Sequence, residues 1–124
     1  MAHGIITGQK RGKAKCPYPN GYASPQDVKS NPAAYQFNCA QRAHAQFIEN
    51  APQTIISMLV SGLLYPNATA ILGLGWFISR VLYLYGYVWG RKAMGAGRYL
   101  GTPFWAFQIA LMVLAGRTAW DLCK

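Results

Sequence analysis

Polar side chains recur at helical spacing in two neighbouring segments that are otherwise largely apolar. The first set is Asn38, Arg42, Gln46, Glu49 and Gln53, separated by 4, 4, 3 and 4 residues. The second set is Trp76, Arg80, Tyr83, Tyr87 and Arg91, separated by 4, 3, 4 and 4 residues. Because residues three, four or seven apart share one face of an α-helix, each set is predicted to form a polar stripe.

These residue types suit a small charged ligand. Arginine presents forked donors to a carboxylate, Glu49 can pair with an ammonium group, and tyrosine hydroxyls can donate to a carbonyl or a thiolate. Charged groups at membrane depth are costly and usually face a bundle interior or a wet cavity. The two stripes therefore predict one shared pocket for a small zwitterion with an excess of negative charge. Glutathione has this chemistry, and the same inventory would also admit an acidic lipid headgroup.

An ion pair is the structural alternative to a ligand site. Arg80 and Glu49 could neutralise one another and lock two helices together. The excess of arginine over acidic residues in the two stripes favours the ligand. His44 lies two residues from Arg42 and so points to the opposite side of its helix, where it is predicted to pack or to contact a subunit.

Three apolar segments are candidates to carry these stripes through a membrane, near residues 46–65, 68–89 and 102–119. Each approaches the roughly 20 residues that a helix needs to cross the hydrocarbon core. A soluble helical bundle is the alternative. It is disfavoured because apolar segments of this length with so few charges are rare in soluble domains. The predicted fold is an all-α, polytopic transmembrane bundle over residues 37–124, preceded by a basic, loop-rich segment over residues 1–36.

The basic residues predict how the chain lies in the membrane. The formal net charge is +9, and most of it falls in the N-terminal segment and in the loop of residues 90–101. Three spans place these two regions on one side, which the positive-inside rule makes cytosolic. The charge also attracts anionic membrane lipid, whereas no nucleic-acid-binding motif accompanies it, so no nucleic-acid partner is expected.

The cysteines predict neither a metal site nor a disulfide framework. Cys16, Cys39 and Cys123 have no C-x-x-C spacing and no histidine partners at zinc-like intervals, so no metal is expected. Cys123 follows the third span closely and is a candidate for palmitoylation.

Two sequence elements resemble the MAPEG family, the membrane-associated proteins in eicosanoid and glutathione metabolism. They are FNCAQRAHAQFIENAP at residues 37–52 and GLGWFISRVLYLYGYVWG at residues 73–90. The resemblance implies a homotrimer of four-helix protomers in the endoplasmic reticulum or a related intracellular membrane, with glutathione held between subunits near the cytosolic face. The chain begins near the end of the family's first helix, so its three spans are expected to correspond to the last three.

The resemblance also implies roles for individual residues. The positions that match glutathione contacts are Arg11, Arg42, Gln46, Glu49, Asn50, Arg80, Tyr83 and Tyr87. Arg98, in GAGRYLG, best matches the arginine that stabilises the glutathione thiolate, with Arg91 as the alternative.

The implied function is that of a membrane-bound glutathione transferase or glutathione peroxidase. Glutathione is the co-substrate, and the acceptor is a lipophilic electrophile or a lipid hydroperoxide that arrives from the bilayer. Leukotriene C4 synthase-like activity falls within the same resemblance. The alternative is a non-catalytic lipid-binding or scaffold membrane protein.

Overall fold

The computed structural model describes residues 1–90 and 93–124, and helices account for most of that part. Its elements are α1 (Ala2–Ala14), α2 (Pro25–Ser30), α3 (Pro32–Gly62), α4 (Pro66–Trp89), a 3₁₀ segment (Ala93–Gly101) and α5 (Phe104–Leu122). No strand occurs within these described residues, and the all-α prediction is confirmed.

The prediction of a loop-rich N-terminal segment is wrong for α1. Gly4, Gly8 and Gly12 lower the intrinsic helix propensity of this stretch, and packing on α3 overrides it. The buried Thr7 hydroxyl lies 2.8 Å from the carbonyl oxygen of His3 and 3.3 Å from that of Ala40 on α3. The following residues 15–24 form turns and extended chain, as the sequence indicates.

Helix α3 carries the first stripe and begins with two clear signals. The side chain of Asn31 accepts a hydrogen bond of 2.9 Å from the backbone N–H of Ala33, and Pro32 occupies the first helical position. The helix continues for 31 residues, roughly 45 Å at the usual rise per residue. It therefore exceeds the thickness of a hydrocarbon core and crosses the predicted boundary between residues 36 and 37.

The 3₁₀ segment lies directly against the end of α4. A Cβ atom added to Gly86 would overlap the carbonyl oxygen of Gly97, and one added to Gly97 would overlap that of Gly86. Glycine at both positions therefore permits a backbone-to-backbone approach that a larger residue would prevent. This contact fixes where the segment presents Arg98.

Among residues 1–90 and 93–124, one helix, α4 (Pro66–Trp89), has the length and hydropathy of a membrane span. The stretch Gly95–Gly101 and α5 meet at a bend of 43°. Together they would form a second candidate membrane span, a broken one. The predicted span near residues 46–65 does not meet this criterion, so the three-span arrangement remains a prediction. Exposed apolar side chains cover the outer faces of the long helices, among them Leu59, Ile71, Phe77 and Val113, and such a surface suits contact with lipid.

Candidate functional site

The two stripes meet at a cavity of about 440 Å³, which we call the polar cavity. Its walls come from α3, α4, the 3₁₀ segment and the start of α5. The lining residues are Arg42, Gln46, Tyr83, Tyr87, Arg98, Thr102 and Trp105. The structure thus brings together five of the residues singled out in the sequence, and it adds Thr102 and Trp105, which no pattern had indicated.

Helical spacing positions the cavity walls. Arg42 and Gln46 lie one turn apart on α3, as do Tyr83 and Tyr87 on α4. The two tyrosine rings meet edge to face, with centroids 5.6 Å apart, and Tyr83 makes a similar contact with Phe104 at 5.8 Å. These ring contacts restrict the orientation of both phenols.

Arg98 enters the cavity from the 3₁₀ segment. Its Nη1 atom donates to the carbonyl oxygen of Gly95 at 3.2 Å, and its Nη2 atom lies 3.2 Å from the hydroxyl of Tyr99. The guanidinium carbon is 5.9 Å from the centre of the Tyr87 ring. Its charge is therefore held beside a phenol that also lines the cavity.

The cavity also contains the exposed guanidinium of Arg42. The ion pair found among residues 1–90 and 93–124 joins Arg117 to Asp121, at the other end of the bundle. Arg42 therefore has no acidic partner within that part of the chain. A cavity with two arginines, two phenols and an amide is suited to an anionic ligand that can accept several hydrogen bonds.

Arg80 lies behind the cavity rather than on its wall. Its side chain is 1% exposed, and its Nη1 atom donates to the side-chain oxygen of Gln46. Four aromatic rings surround the guanidinium carbon at 4.5 to 5.9 Å, from Phe47, Trp76, Tyr83 and Phe104. Its Nε and Nη2 atoms have no hydrogen-bond partner in the described structure.

The family is decided by the match to known protein-family models. The model described as the MAPEG family matches residues 1–120. The chain belongs to the MAPEG family. MAPEG proteins are membrane proteins, and the family includes glutathione transferases and related enzymes.

In this MAPEG chain, three other predicted site residues lie away from the polar cavity. Glu49 is exposed and is not paired with Arg80 in the described structure, so the ion-pair alternative is not observed. Arg11 donates to the carbonyl oxygen of Asn20 at 2.7 Å and holds the turn after α1. Asn50 is buried within the bundle. Arg91, the alternative to Arg98, lies outside the described residues.

Asn50 belongs to a buried network that connects the three long helices. The Nε2 atom of Gln108, on α5, donates to the side-chain oxygen of Asn50 at 3.1 Å and to that of Gln53 at 3.3 Å. The indole N–H of Trp76 donates to the oxygen of Gln108 at 3.3 Å. Sequence reasoning missed this network, although an isolated glutamine in FWAFQIALMVLAG was a signal for it.

His44 faces α1, on the side of α3 that its spacing from Arg42 indicates. Its ring stacks with that of His3, with centroids 6.3 Å apart. His44 therefore packs against α1, one of the two roles expected of it, and a subunit contact stays a prediction.

A second cavity of about 350 Å³ shares Arg42 and Tyr87 with the polar cavity. Tyr35 and Cys39 are among its other lining residues. Burial raises the pKa of the Cys39 thiol, although a hydrogen bond from Tyr35 and the charge of Arg98 oppose this. Because the thiolate is the nucleophilic form, we expect Cys39 to react more slowly at neutral pH than an ordinary free cysteine.

Proposed function

We propose that this MAPEG protein is a membrane-bound glutathione transferase or glutathione peroxidase. The observation that carries the proposal is the polar cavity, where Arg42 and Arg98 meet Tyr83, Tyr87 and Gln46. Glutathione has two carboxylates, one ammonium and one thiol, and a cavity of about 440 Å³ falls in the size range of small-molecule sites.

Arg42 is the residue we assign to a glutathione carboxylate. Its guanidinium is exposed at the cavity wall, and no acidic side chain in the described structure competes for it. Guanidinium groups bind carboxylates through two parallel hydrogen bonds, which orients the ligand as well as holding it. Gln46 lies one turn along α3 and adds an amide that is already oriented by Arg80.

Arg98 is the residue we assign to the thiol. A positive charge within a few ångströms favours the thiolate and so lowers the pKa of a bound thiol. Each unit of lowering corresponds to about 1.4 kcal/mol, so a shift of about two units would make most of the bound thiol reactive at neutral pH. Tyr83 and Tyr87 can donate hydrogen bonds to the same sulfur or to a neighbouring carbonyl.

The thiolate can then react with either class of acceptor. With an electrophilic carbon, a carbon–sulfur bond forms and the leaving group departs with its electron pair. With a lipid hydroperoxide, the sulfur attacks the terminal oxygen, the O–O bond breaks, and the leaving alkoxide takes a proton from water to give the alcohol. A second glutathione then converts the resulting sulfenic acid to a disulfide and water. Both routes begin with the same thiolate.

The assembly and location are part of the proposal. FNCAQRAH and RVLYLYGY resemble the corresponding elements of microsomal glutathione S-transferase 3. On that basis we propose a homotrimer in the endoplasmic reticulum or a related intracellular membrane, with the basic loops in the cytosol. The acceptor would reach the cavity laterally from the bilayer.

A titration of the purified protein with glutathione tests this function. Ultraviolet difference absorption at neutral pH should show a saturable thiolate band. Arg42→Ala should raise the Kd for glutathione by about tenfold or more, because one carboxylate loses its partner. Arg117→Ala, which removes an arginine far from the cavity, is the matched control. Absence of the band, or an unchanged Kd in Arg42→Ala, would contradict the assignment.

Lipid binding without catalysis is a second candidate, favoured by an apolar groove between α4 and α5. This groove of about 570 Å³ is lined by Leu72, Val113 and Leu114, among others, with Arg117 at its edge. A folded protein with no thiolate band but with lipid retained through purification would support this candidate over the transferase.

A further inference from the structure

Tyr35 connects the beginning of α3 to the segment that carries Arg98. Its hydroxyl oxygen accepts a hydrogen bond of 2.7 Å from the backbone N–H of Gly95, 60 residues along the chain. Tyr35 is half-buried and does not line the polar cavity. The hydrogen bond to Gly95 links Tyr35 to the site through the backbone of the 3₁₀ segment.

Gly95 is also bound by Arg98. The Nη1 atom of Arg98 donates to the carbonyl oxygen of Gly95 at 3.2 Å. The φ angle of Gly95 is +67°, and a Cβ atom added there would overlap the ring of Tyr87. Gly95 is thus held by Tyr35 on one side and lies close against Tyr87 on the other. These two contacts fix the position of the Gly95 carbonyl oxygen, which binds the Arg98 side chain.

The Cys39 thiol lies near the Tyr35 hydroxyl, one turn along α3. Burial and the proximity of Cys39 raise the pKa of Tyr35, so its hydroxyl remains protonated at neutral pH. A protonated hydroxyl can accept from Gly95 and donate to Cys39 at the same time. The hydroxyl is therefore available at neutral pH as the acceptor for the Gly95 N–H.

We propose that Tyr35 is a positioning residue for Arg98. Its hydroxyl holds the Gly95 N–H, and the carbonyl oxygen of the same residue anchors the guanidinium beside Tyr87. This inference rests on the proposed function, in which Arg98 stabilises the glutathione thiolate. Small displacements matter here because the effect of a charge on a thiol depends on their separation and on exclusion of water.

Tyr35→Phe removes the hydroxyl and leaves the ring. With selective ¹⁵N-glycine labelling, the Gly95 amide should exchange its hydrogen about tenfold faster than in the parent protein, because its hydrogen bond is lost. The thiolate band of bound glutathione should weaken and kcat should fall about fivefold or more, while KM for glutathione stays within about twofold. Tyr85→Phe is the matched control, since Tyr85 is exposed on the outer face of α4, where it stacks on Trp89.

The Arg98→Ala background separates positioning from a direct role. If Tyr35 acts through Arg98, then Tyr35→Phe should cause no further loss of turnover once Arg98 has been replaced. An equal loss in both backgrounds would overturn the proposal. So would unchanged Gly95 exchange in Tyr35→Phe, or a raised KM for glutathione with unchanged kcat.

Chemical modification of Arg98 provides a readout that needs no activity. Phenylglyoxal should modify Arg98 faster in Tyr35→Phe than in the parent protein or in Tyr85→Phe, as mapped by mass spectrometry. An unchanged rate would overturn the positioning role. If the parent protein shows no thiolate band, the proposed function fails, and the exchange and modification rates still decide whether Tyr35 positions Arg98.

Discussion

Gln46 links the wall of the polar cavity to a buried charge. Its side-chain oxygen accepts from Arg80, which is 1% exposed and otherwise surrounded by aromatic rings. A buried charge that loses its hydrogen-bond partner is costly, whereas cation–π contacts offset only part of that cost. Gln46 therefore has a role in stability as well as in the cavity.

Replacing Gln46 separates these roles. Gln46→Leu should destabilise the protein by about 1.5 to 3 kcal/mol, the usual range for a hydrogen bond to a charged group. Gln46→Glu keeps an acceptor oxygen and adds a negative charge beside Arg80, so it should retain most of the stability. The apparent Tm of each variant, measured in one detergent, is the test. Equal losses in the two variants would contradict this role for the oxygen.

The residues of α3 show how far spacing alone can locate a site. Arg42 and Gln46 reach the polar cavity as the stripe predicted. Glu49 is on nearly the same face as Arg42, but seven residues carry it roughly 10 Å farther along the helix. Asn50, the next residue, is rotated by about 100° from Glu49, and its side chain meets Gln108 instead. Periodicity gives the face of a helix, whereas the depth of a cavity depends on the neighbouring elements.

At the scale of elements, the approach of α4 to the 3₁₀ segment controls the site. Gly97→Ala should push this segment away from Gly86, because the added Cβ would overlap a backbone oxygen. We expect a lower Tm and a weaker thiolate band. Gly116→Ala on α5 is the matched control, since no atom lies near its added Cβ, and it should stabilise its helix by about 0.5 to 1 kcal/mol. A Gly97→Ala protein with unchanged Tm and thiolate band would contradict this role of the contact.

Elements formed by distant contacts were the hardest to predict. Local composition around Gly4, Gly8 and Gly12 favours a loop, yet Thr7 packs on Ala40 and the segment is helical. The helices α4 and α5 were easier, because continuous apolar sequence bounded by Pro66 and Pro103 indicates them directly. The 3₁₀ segment has neither a long apolar run nor a proline at its start. Its position follows from its contact with α4.

At the scale of the whole molecule, three spans would place the two ends of the chain on opposite sides of the membrane. Cys16 is partly exposed after α1, and Cys123 is exposed at the end of α5. In sealed vesicles, a membrane-impermeant maleimide should label only one of them before the vesicles are opened. Variants with Cys16→Ser or Cys123→Ser identify which thiol reacts. Labelling of both thiols from one side would contradict an odd number of spans.

The amide network of buried Asn50 and Gln108 with exposed Gln53 bears on how the protein enters its membrane. Before the helices meet, α3 and α5 would each present amide groups to hydrocarbon, where unpaired polar groups are expensive. Helix α4 has the hydropathy to insert alone, whereas α3 does not meet that criterion. We therefore expect the insertion machinery to retain α3 until α4 and α5 have been synthesised. The three helices would then partition into the bilayer together.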